Sequence, residues 1–275
     1  MGKIFFFGIP LFSFAAFFLL FAQTDDFVIR GTVLIRYQGN QADIEIPSTV
    51  TSIGIEAFAG NQNNPTRITV PPTVTAIGHR AFANARALRH VNIPSSVTYI
   101  GTYAFFGARN LTSISIPSSV TSIGDFAFAR CSSLASVTIS GGITRIGDGT
   151  FQDCSSLTGI TLPGTVTSIG RHAFAGCTSL VSIAIPASVT TIGAHAFAGC
   201  TSLTGIAIPP SVTYIGERAF MGCTSLTRII IPPSVISIGN YAFAGCTNLR
   251  IATVSRDTQI GRNAFPHGVL INHSD

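Results

Sequence analysis

A dipeptide, Ile-Gly, returns at a nearly fixed interval along most of the chain and limits what the chain can fold into. It occurs ten times, at spacings of 24, then seven times 23, then 22 residues, and a phenylalanine follows each of these glycines by four positions. Self-similarity at such a period is typical of a solenoid, in which every repeat forms one coil and buries its apolar side chains against its neighbours. The sequence therefore predicts about ten stacked 23-residue coils. The phenylalanines are Phe58, Phe82, Phe105, Phe128, Phe151, Phe174, Phe197, Phe220, Phe243 and Phe265.

One repeat, residues 111–131, shows how each coil is expected to fold. Ile114 and Ile116 alternate with serines, and this period of two indicates a half-buried strand. Pro117 ends the strand because it has no N–H to donate to a ladder, and Gly124 permits a tight bend. The Ala-Phe segment after that bend is short, so we expect a single helical or 3₁₀ turn on the side opposite the strands.

The first 22 residues do not follow the repeat. Lys3 precedes an almost unbroken apolar run from Ile4 to Ala22, which is the pattern of a secretory signal peptide. The alternative is an uncleaved membrane anchor, since a run of nineteen residues is just long enough to span a bilayer. Both interpretations predict an exported protein that is periplasmic, exposed on the outer surface or secreted, with membrane contact only through an uncleaved N-terminal segment.

The two ends of the array also depart from the 23-residue spacing. Residues 23–46 contain β-rich runs around Gly31 and before Gly39, which predict an N-terminal β cap. Residues 47–275 are assigned to the solenoid, whose last repeat changes at Ser255 and reads as a truncated closing coil.

The repeat resembles a known family. Its unit, Leu-x-x-Ile-x-Ile-Pro-x-x-Val-Thr-x-Ile-Gly-x-x-Ala-Phe-x-x-Cys, is similar to the BspA-type, or treponemal-type, leucine-rich repeat, and the lead-in over residues 31–40 is similar to the segment before such arrays. The resemblance implies an α+β repeat solenoid: a right-handed leucine-rich-repeat array with a parallel β-sheet on its concave face. It also implies surface or secreted proteins linked to adhesion, to host extracellular-matrix components and to contact between bacteria, with no shared catalytic residues.

The six cysteines occupy one position of the repeat, three residues after the phenylalanine. Residues stacked in such a column point the same way, which leaves their Cβ atoms about 4.8 Å apart, farther than the roughly 3.8 Å that a disulfide prefers. Ala85 and Ala108 fill the same position in earlier repeats, so the site requires a small buried side chain. We predict reduced thiols that pack as a ladder, with one or two disulfides as the alternative. The cysteines are Cys131, Cys154, Cys177, Cys200, Cys223 and Cys246.

Charge and residue spacing argue against several classes of function. Charged residues make up 10% of the chain, and the arginines are dispersed singly, whereas nucleic-acid binding requires a concentrated basic patch. His172 and His195 share a repeat position, but other repeats place Glu, Arg, Tyr, Phe or Gly there, which indicates a tolerant surface position and no metal site. No nucleophile, base and orienting group can be assembled from the spacing. The sequence therefore predicts no enzyme, no cofactor and no nucleic-acid partner.

The outward positions of the predicted strands form two columns across the concave face. Hydroxyl side chains dominate the middle of the array, and later repeats carry small or apolar side chains there. One interpretation is a set of β-compatible residues without function. The other is a shallow, partly apolar surface flanked by arginine and histidine that binds a protein or peptide, or alternatively a small hydrophobic ligand. A purely structural envelope protein is the third possibility. The predicted binding residues are Arg67, His90, Ser115, Thr138, Thr161, Ala184, Ala207, Arg228 and Ile230.

Overall fold

The computed structural model describes residues 26–61 and 65–274 as a stack of coils built from strands and turns. The predicted signal peptide, residues 1–22, lies outside the described residues. Within the described part of the chain, no helix has the length and apolar character that a membrane crossing requires.

The N-terminal segment forms an antiparallel hairpin of β1 (Phe27–Arg30) and β2 (Val33–Tyr37). Strand β2 then pairs in parallel with the first coil, placing Leu34 beside Ile53. The Tyr37 ring lies 5.5 Å from the Phe58 ring, so the hairpin covers the first phenylalanine of the array.

A first row of parallel strands, ladder A, contains the alternating segments that the repeat predicts. From the first of these strands to Arg228–Ile230, inward isoleucines or valines are buried and the residues beside them face outward, as in Ser113–Ile116, where Ile114 and Ile116 are buried. The strands are β3 (Asp43–Glu45), β5 (Arg67–Thr69), β7 (His90–Val91), β9 (Ser113–Ile116), β11 (Ser136–Ile139), β13 (Gly159–Thr161), β15 (Ser182–Ala184), β18 (Arg228–Ile230), β20 (Ile251–Ser255) and β22 (Leu270–Ser274).

A second row, ladder B, was not predicted from the sequence. Each of its strands is a two-residue segment that ends on the isoleucine of the Ile-Gly pair, and neighbouring coils pair in parallel there. The strands are β4 (Ser52–Ile53), β6 (Ala76–Ile77), β8 (Tyr99–Ile100), β10 (Ser122–Ile123), β12 (Arg145–Ile146), β14 (Ser168–Ile169), β16 (Thr191–Ile192), β17 (Tyr214–Ile215), β19 (Ser237–Ile238) and β21 (Gln259–Ile260).

Neither ladder is one continuous sheet. Ladder A forms sheets of three, four and three strands, with breaks between β7 and β9 and at residues 204–208, where no strand forms. Ladder B divides between β10 and β12. The division of ladder B falls at the coil in which residues 140–142, Ser-Gly-Gly, replace Pro-x-x. The Ser140 N–H, which proline would lack, donates to the Ile116 carbonyl, and Gly142 adopts a φ of +81° against the Val120 backbone.

The predicted α-helical or 3₁₀ turns, and with them the α+β class, are wrong for the described residues, which contain no helix. In one coil the Phe126 and Phe128 N–H groups donate to the next coil, Phe128 to the Thr150 carbonyl at 2.9 Å. The intervening Ala127 N–H donates within its own turn, to Gly124. A helix needs every N–H to bond along its own axis, so this alternation excludes one.

The backbone dihedrals give the same result. The second residue after each repeat glycine has a φ between 51° and 59°, far from the value near −63° of an α-helix. These left-handed positions are Glu56, Arg80, Tyr103, Phe126, Gly149, His172, His195, Arg218, Tyr241 and Asn263.

The core is one continuous column of phenylalanines between the two ladders and the turns. All ten repeat phenylalanines stack, with consecutive ring centroids 4.8 to 5.6 Å apart. Nine of them are almost completely buried, and Phe265 at the C-terminal end is half-buried. Each ring is therefore covered largely by the rings of the adjacent coils, which couples the stability of neighbouring repeats.

Candidate functional site

All nine predicted binding residues lie on the outward side of ladder A or of the strandless segment 204–208 within it, and all nine are exposed. Parallel pairing places equivalent residues side by side: Arg67 beside His90, and Thr161 beside Ala184. We call this outward surface the ladder A face. It is the surface that the family resemblance predicts to be concave.

Three depressions divide the predicted residues into three groups. The middle depression, of about 570 Å³, is lined by Thr138, Thr161 and Ala184. A smaller one of about 330 Å³ is lined by Arg67, His90 and Ser115. The third, of about 650 Å³, is lined by Ala207, Arg228 and Ile230. The structure thus brings the predicted residues together as three local sites along one face.

The N-terminal depression has little free charge. Arg67 pairs with Asp43 of the preceding strand at 3.8 Å, and both side chains are largely exposed, so the ion pair contributes little stability. The Asn92 amide is already occupied, because its Oδ1 accepts from the Val70 N–H at 2.7 Å and its Nδ2 donates to the Val70 carbonyl. Among the residues that line this depression, His90 is the ionisable one besides Arg67.

Exposed aliphatic side chains continue beyond the C-terminal depression into the next two strands of ladder A. Ile230 is 63% exposed, and in the following strands Ile251 and Leu270 are 42% and 59% exposed. Pairing places Arg228 beside Ile251 and Ile251 beside Leu270. Sequence reasoning missed the last two residues. Ile251 could have been found by adding one more repeat length to Arg228, whereas the shortened final coil hides Leu270.

Many hydroxyl side chains outside this face have structural roles. In seven coils, a serine or threonine two residues after the position that proline usually occupies donates to the backbone carbonyl of the preceding coil at 2.5 to 2.9 Å. A hydroxyl that donates to a buried carbonyl satisfies that group and holds two coils in register. These residues are Thr73, Ser96, Ser119, Thr165, Ser188, Ser211 and Ser234.

The six cysteines are buried free thiols in the column predicted from the sequence. Each Sγ donates to the carbonyl of the phenylalanine in the preceding coil, as Cys177 does to Phe151 at 3.2 Å. Burial raises the pKa of the Cys131 and Cys200 thiols to about 12. Because the thiolate is the reactive form, these two thiols are inert as nucleophiles and metal ligands near neutral pH.

Thiol titration of the unfolded, unreduced protein is expected to detect close to six free thiols, because each folded thiol is buried and already bonded to a carbonyl. Two or fewer free thiols would contradict a packing ladder.

Cys177→Ala is expected to lower the free energy of unfolding by only about 1 kcal/mol, since Ala85 and Ala108 fill the same position in other coils. Urea unfolding followed by circular dichroism measures the difference.

The His172 and His195 rings stack at left-handed positions outside the ladder A face. Their centroids are 4.5 Å apart and their planes differ by 13°. Burial, together with His172 and Arg218, lowers the pKa of His195. The nitrogen lone pairs lie in the ring planes, so two parallel stacked rings do not converge on one metal ion. In residues 26–61 and 65–274 no group of three or more His, Cys, Asp or Glu side chains could hold a metal.

Comparisons with known proteins agree with this architecture. The family model described as "BspA type Leucine rich repeat region" matches residues 35–158 and 144–270 with six copies. A leucine-rich repeat protein from Bacteroides ovatus is 27% identical with a TM-score of 0.55, and the match covers 88% of this chain and 83% of that one. No curated protein matches the sequence.

Two further solved structures share the fold. A leucine-rich repeat protein from Eubacterium ventriosum is 28% identical with a TM-score of 0.54, over 72% of this chain and 47% of that one. The leucine-rich repeat protein of T. pallidum is 23% identical with a TM-score of 0.54, over 82% of this chain and 89% of that one.

Proposed function

Because the chain belongs to the BspA-type leucine-rich repeat family, we propose that it is an exported scaffold that binds protein partners through the ladder A face, in an adhesin-like role. The observation that carries the proposal is the face itself. It presents exposed side chains from about ten coils in regular register, with three depressions and a concentration of aliphatic residues at one end. Protein interfaces combine apolar centres with polar rims in this way.

The N-terminal sequence supports an exported location, since its apolar run with a single lysine has the pattern of a signal peptide. The six cysteines are all buried, which shields them from disulfide exchange and makes them compatible with an oxidising compartment. The partners would be extracellular-matrix or cell-surface proteins.

A binding role accounts for the polar residues better than catalysis does. Many hydroxyls donate to backbone carbonyls between coils, and the acids Asp43, Glu56, Asp125 and Asp153 lie in exposed ion pairs with arginine. Repeat solenoids present extended surfaces to partners. The proposal therefore assigns no catalytic residue and no cofactor.

Capture of surface-protein partners by the mature protein, with variants on each face, tests the proposal. Thr138→Arg and Ala207→Arg are expected to reduce capture at least tenfold, because each places a long charged side chain in a depression of the ladder A face. Ser122→Arg on ladder B is the matched control, since Arg145 occupies the same repeat position naturally. Equal loss of partner capture in all three variants, or no loss in any of them, would argue against the ladder A face as the interface.

A second candidate is binding of a small apolar ligand in the C-terminal depression. Its volume of about 650 Å³ lies in the usual range for ligand sites, and Ile206, Ala207 and Ile230 are among the side chains that line it. Saturable binding of a fluorescent apolar probe at one site, lost in the Ala207→Arg variant, would favour this function over protein binding. A structural envelope role would show neither probe binding nor partner capture.

A further inference from the structure

Exposed apolar side chains are concentrated at the C-terminal end of the molecule. Twelve large hydrophobic side chains are exposed in the described residues, and six of them lie between residues 230 and 274. Contiguous exposed apolar surface is typical of interaction sites, whereas isolated exposed side chains are common everywhere. The six residues are Ile230, Ile236, Ile251, Ile260, Leu270 and Ile271.

Three of these side chains share the ladder A face and form a continuous surface with their neighbours. Pairing places Arg228, Ile251 and Leu270 in one row across β18, β20 and β22. Ile230 faces the same side as Arg228, two residues later in the strand, and Ala207 lines the same depression as both. We define the C-terminal patch as these five residues.

The C-terminal patch contains one charged side chain, Arg228, and no acid. In the part of the chain that the structure describes, Arg228 has no carboxylate within ion-pair distance. Arg228 contrasts with Arg67, its counterpart at the other end of the face, which pairs with Asp43.

The exposed apolar side chains and the unpaired arginine of the C-terminal patch together favour one kind of binding partner. A second copy docked by its own C-terminal patch would bring a second Arg228 into the contact with no acid to pair either one, and such like-charge contacts are unfavourable. A lipid surface would have to enter a depression bounded by Pro232, whereas a bilayer is flat on this scale. An acidic protein segment carries the opposite charge and is narrow enough to enter the depression. Arginine binds a carboxylate through two parallel hydrogen bonds.

We propose that the C-terminal patch recognises an extended protein segment in which an apolar side chain and a carboxylate stand two residues apart. Residues i and i+2 of a strand face the same side about 6.6 Å apart, which is the spacing of Arg228 and Ile230 within β18. The carboxylate pairs with the Arg228 guanidinium, and the apolar side chain packs on Ile230 and Ile251. The inference rests on the proposed function and specifies its partner.

Fluorescence anisotropy with a labelled synthetic peptide tests this recognition. The probe is a dodecapeptide of three Val-Thr-Glu-Thr repeats, and its control carries Lys in place of Glu. The Glu peptide is expected to bind with a micromolar Kd and the Lys peptide at least tenfold more weakly. Arg228→Ser is expected to weaken binding of the Glu peptide at least tenfold, and Ile230→Thr at least threefold.

The repeat supplies variants that retain the fold. Serine and threonine occupy the equivalents of Arg228 and Ile230 in other coils, at Ser113 and Thr69. Arg145→Ser on ladder B, where Ser122 and Ser168 occupy the same repeat position, is the matched control and is expected to leave peptide binding unchanged. Circular dichroism spectra that match the unsubstituted protein show that the variants fold.

Several outcomes would overturn the inference. These are no peptide binding, equal binding of the Glu and Lys peptides, and equal loss from Arg145→Ser and Arg228→Ser. Tighter binding to vesicles containing 30% phosphatidylserine than to the peptide, lost in Arg228→Ser, would assign the patch to a lipid surface. A dimer that dissociates in Ile230→Thr would assign it to a second copy. Partner capture that depends on Thr138 and is indifferent to Arg228 would leave the proposed function intact and the inference wrong.

Discussion

Replacement of Phe174 by alanine is expected to lower the free energy of unfolding by about 3 to 5 kcal/mol. The ring is fully buried and stacks on Phe151 at 5.5 Å and on Phe197 at 5.4 Å. Its removal leaves a cavity between two coils that the ladders hold at fixed spacing, so the neighbouring rings cannot collapse into it. Urea unfolding monitored by circular dichroism gives the difference.

Phe265→Ala is the matched control. This ring is half-buried at the end of the column and stacks on one neighbour, Phe243, at 5.0 Å. Less apolar surface is lost there and the end of the stack can relax, so we expect a decrease of about 1 to 2 kcal/mol. Equal effects at Phe174 and Phe265 would contradict the idea that each coil is stabilised mainly by the coils on both sides.

Gly193→Ala is expected to have the second large effect, a loss of about 3 kcal/mol. A methyl group at this glycine would lie 2.7 Å from the Gly170 carbonyl carbon and 2.9 Å from the Arg171 nitrogen. Both atoms are backbone of the preceding coil, which cannot move aside as a flexible side chain would. The Gly193 N–H also donates to Ile169 at 2.8 Å, so a shift of the coil disturbs the ladder B pairing next to it.

Gly205→Ala provides the comparison for this substitution. A methyl group there would meet no atom within 4 Å, and the residue lies on the exposed ladder A face. We expect a change in the free energy of unfolding within about 0.5 kcal/mol, because no contact is disturbed and alanine restricts the unfolded chain. If the two substitutions destabilise equally, the cost at Gly193 does not come from the close approach of the coils.

The repeat unit was sufficient to predict which residues face the core. Ile114, Ile116, Val120, Ile123 and Phe128 are all buried, as their spacing indicates. The cysteine column was also predictable, because Ala85 and Ala108 in the same position show that the site holds only a small side chain. Equivalent residues of a regular stack share one environment, so ten copies of the pattern contain the same information ten times.

The turns could not be predicted in the same way. The Gly-x-x-Ala-Phe segment has the apolar spacing of one helical turn, yet Phe126 adopts a φ of +57°. Large side chains such as Phe and Tyr rarely adopt this conformation, so their presence there gives no local signal for it. The Phe128 N–H donates to a residue 22 positions later in the chain, and only the stacked neighbour makes that hydrogen bond available.

The ladder A face was predictable in part from the sequence, and the rest of it is visible only in the folded structure. The period of two assigns Thr138, Thr161 and Ile230 to the outward side, and the structure finds all three exposed on ladder A. Local sequence does not reveal that they line two different depressions, or that Leu270 continues the row of Arg228 after a shortened coil. These features depend on how one coil is placed on the next.

The ten-fold return of Ile-Gly and Phe therefore determined, by itself, a stacked solenoid with a phenylalanine column at its centre, because a single 23-residue unit cannot bury its own apolar face. Only the tertiary structure decided the second ladder, the helix-free turns and the breaks at residues 204–208 and between β10 and β12. The physical reason is that these features depend on hydrogen bonds between coils, whose donors and acceptors are about one repeat length apart in sequence and adjacent only in the folded stack.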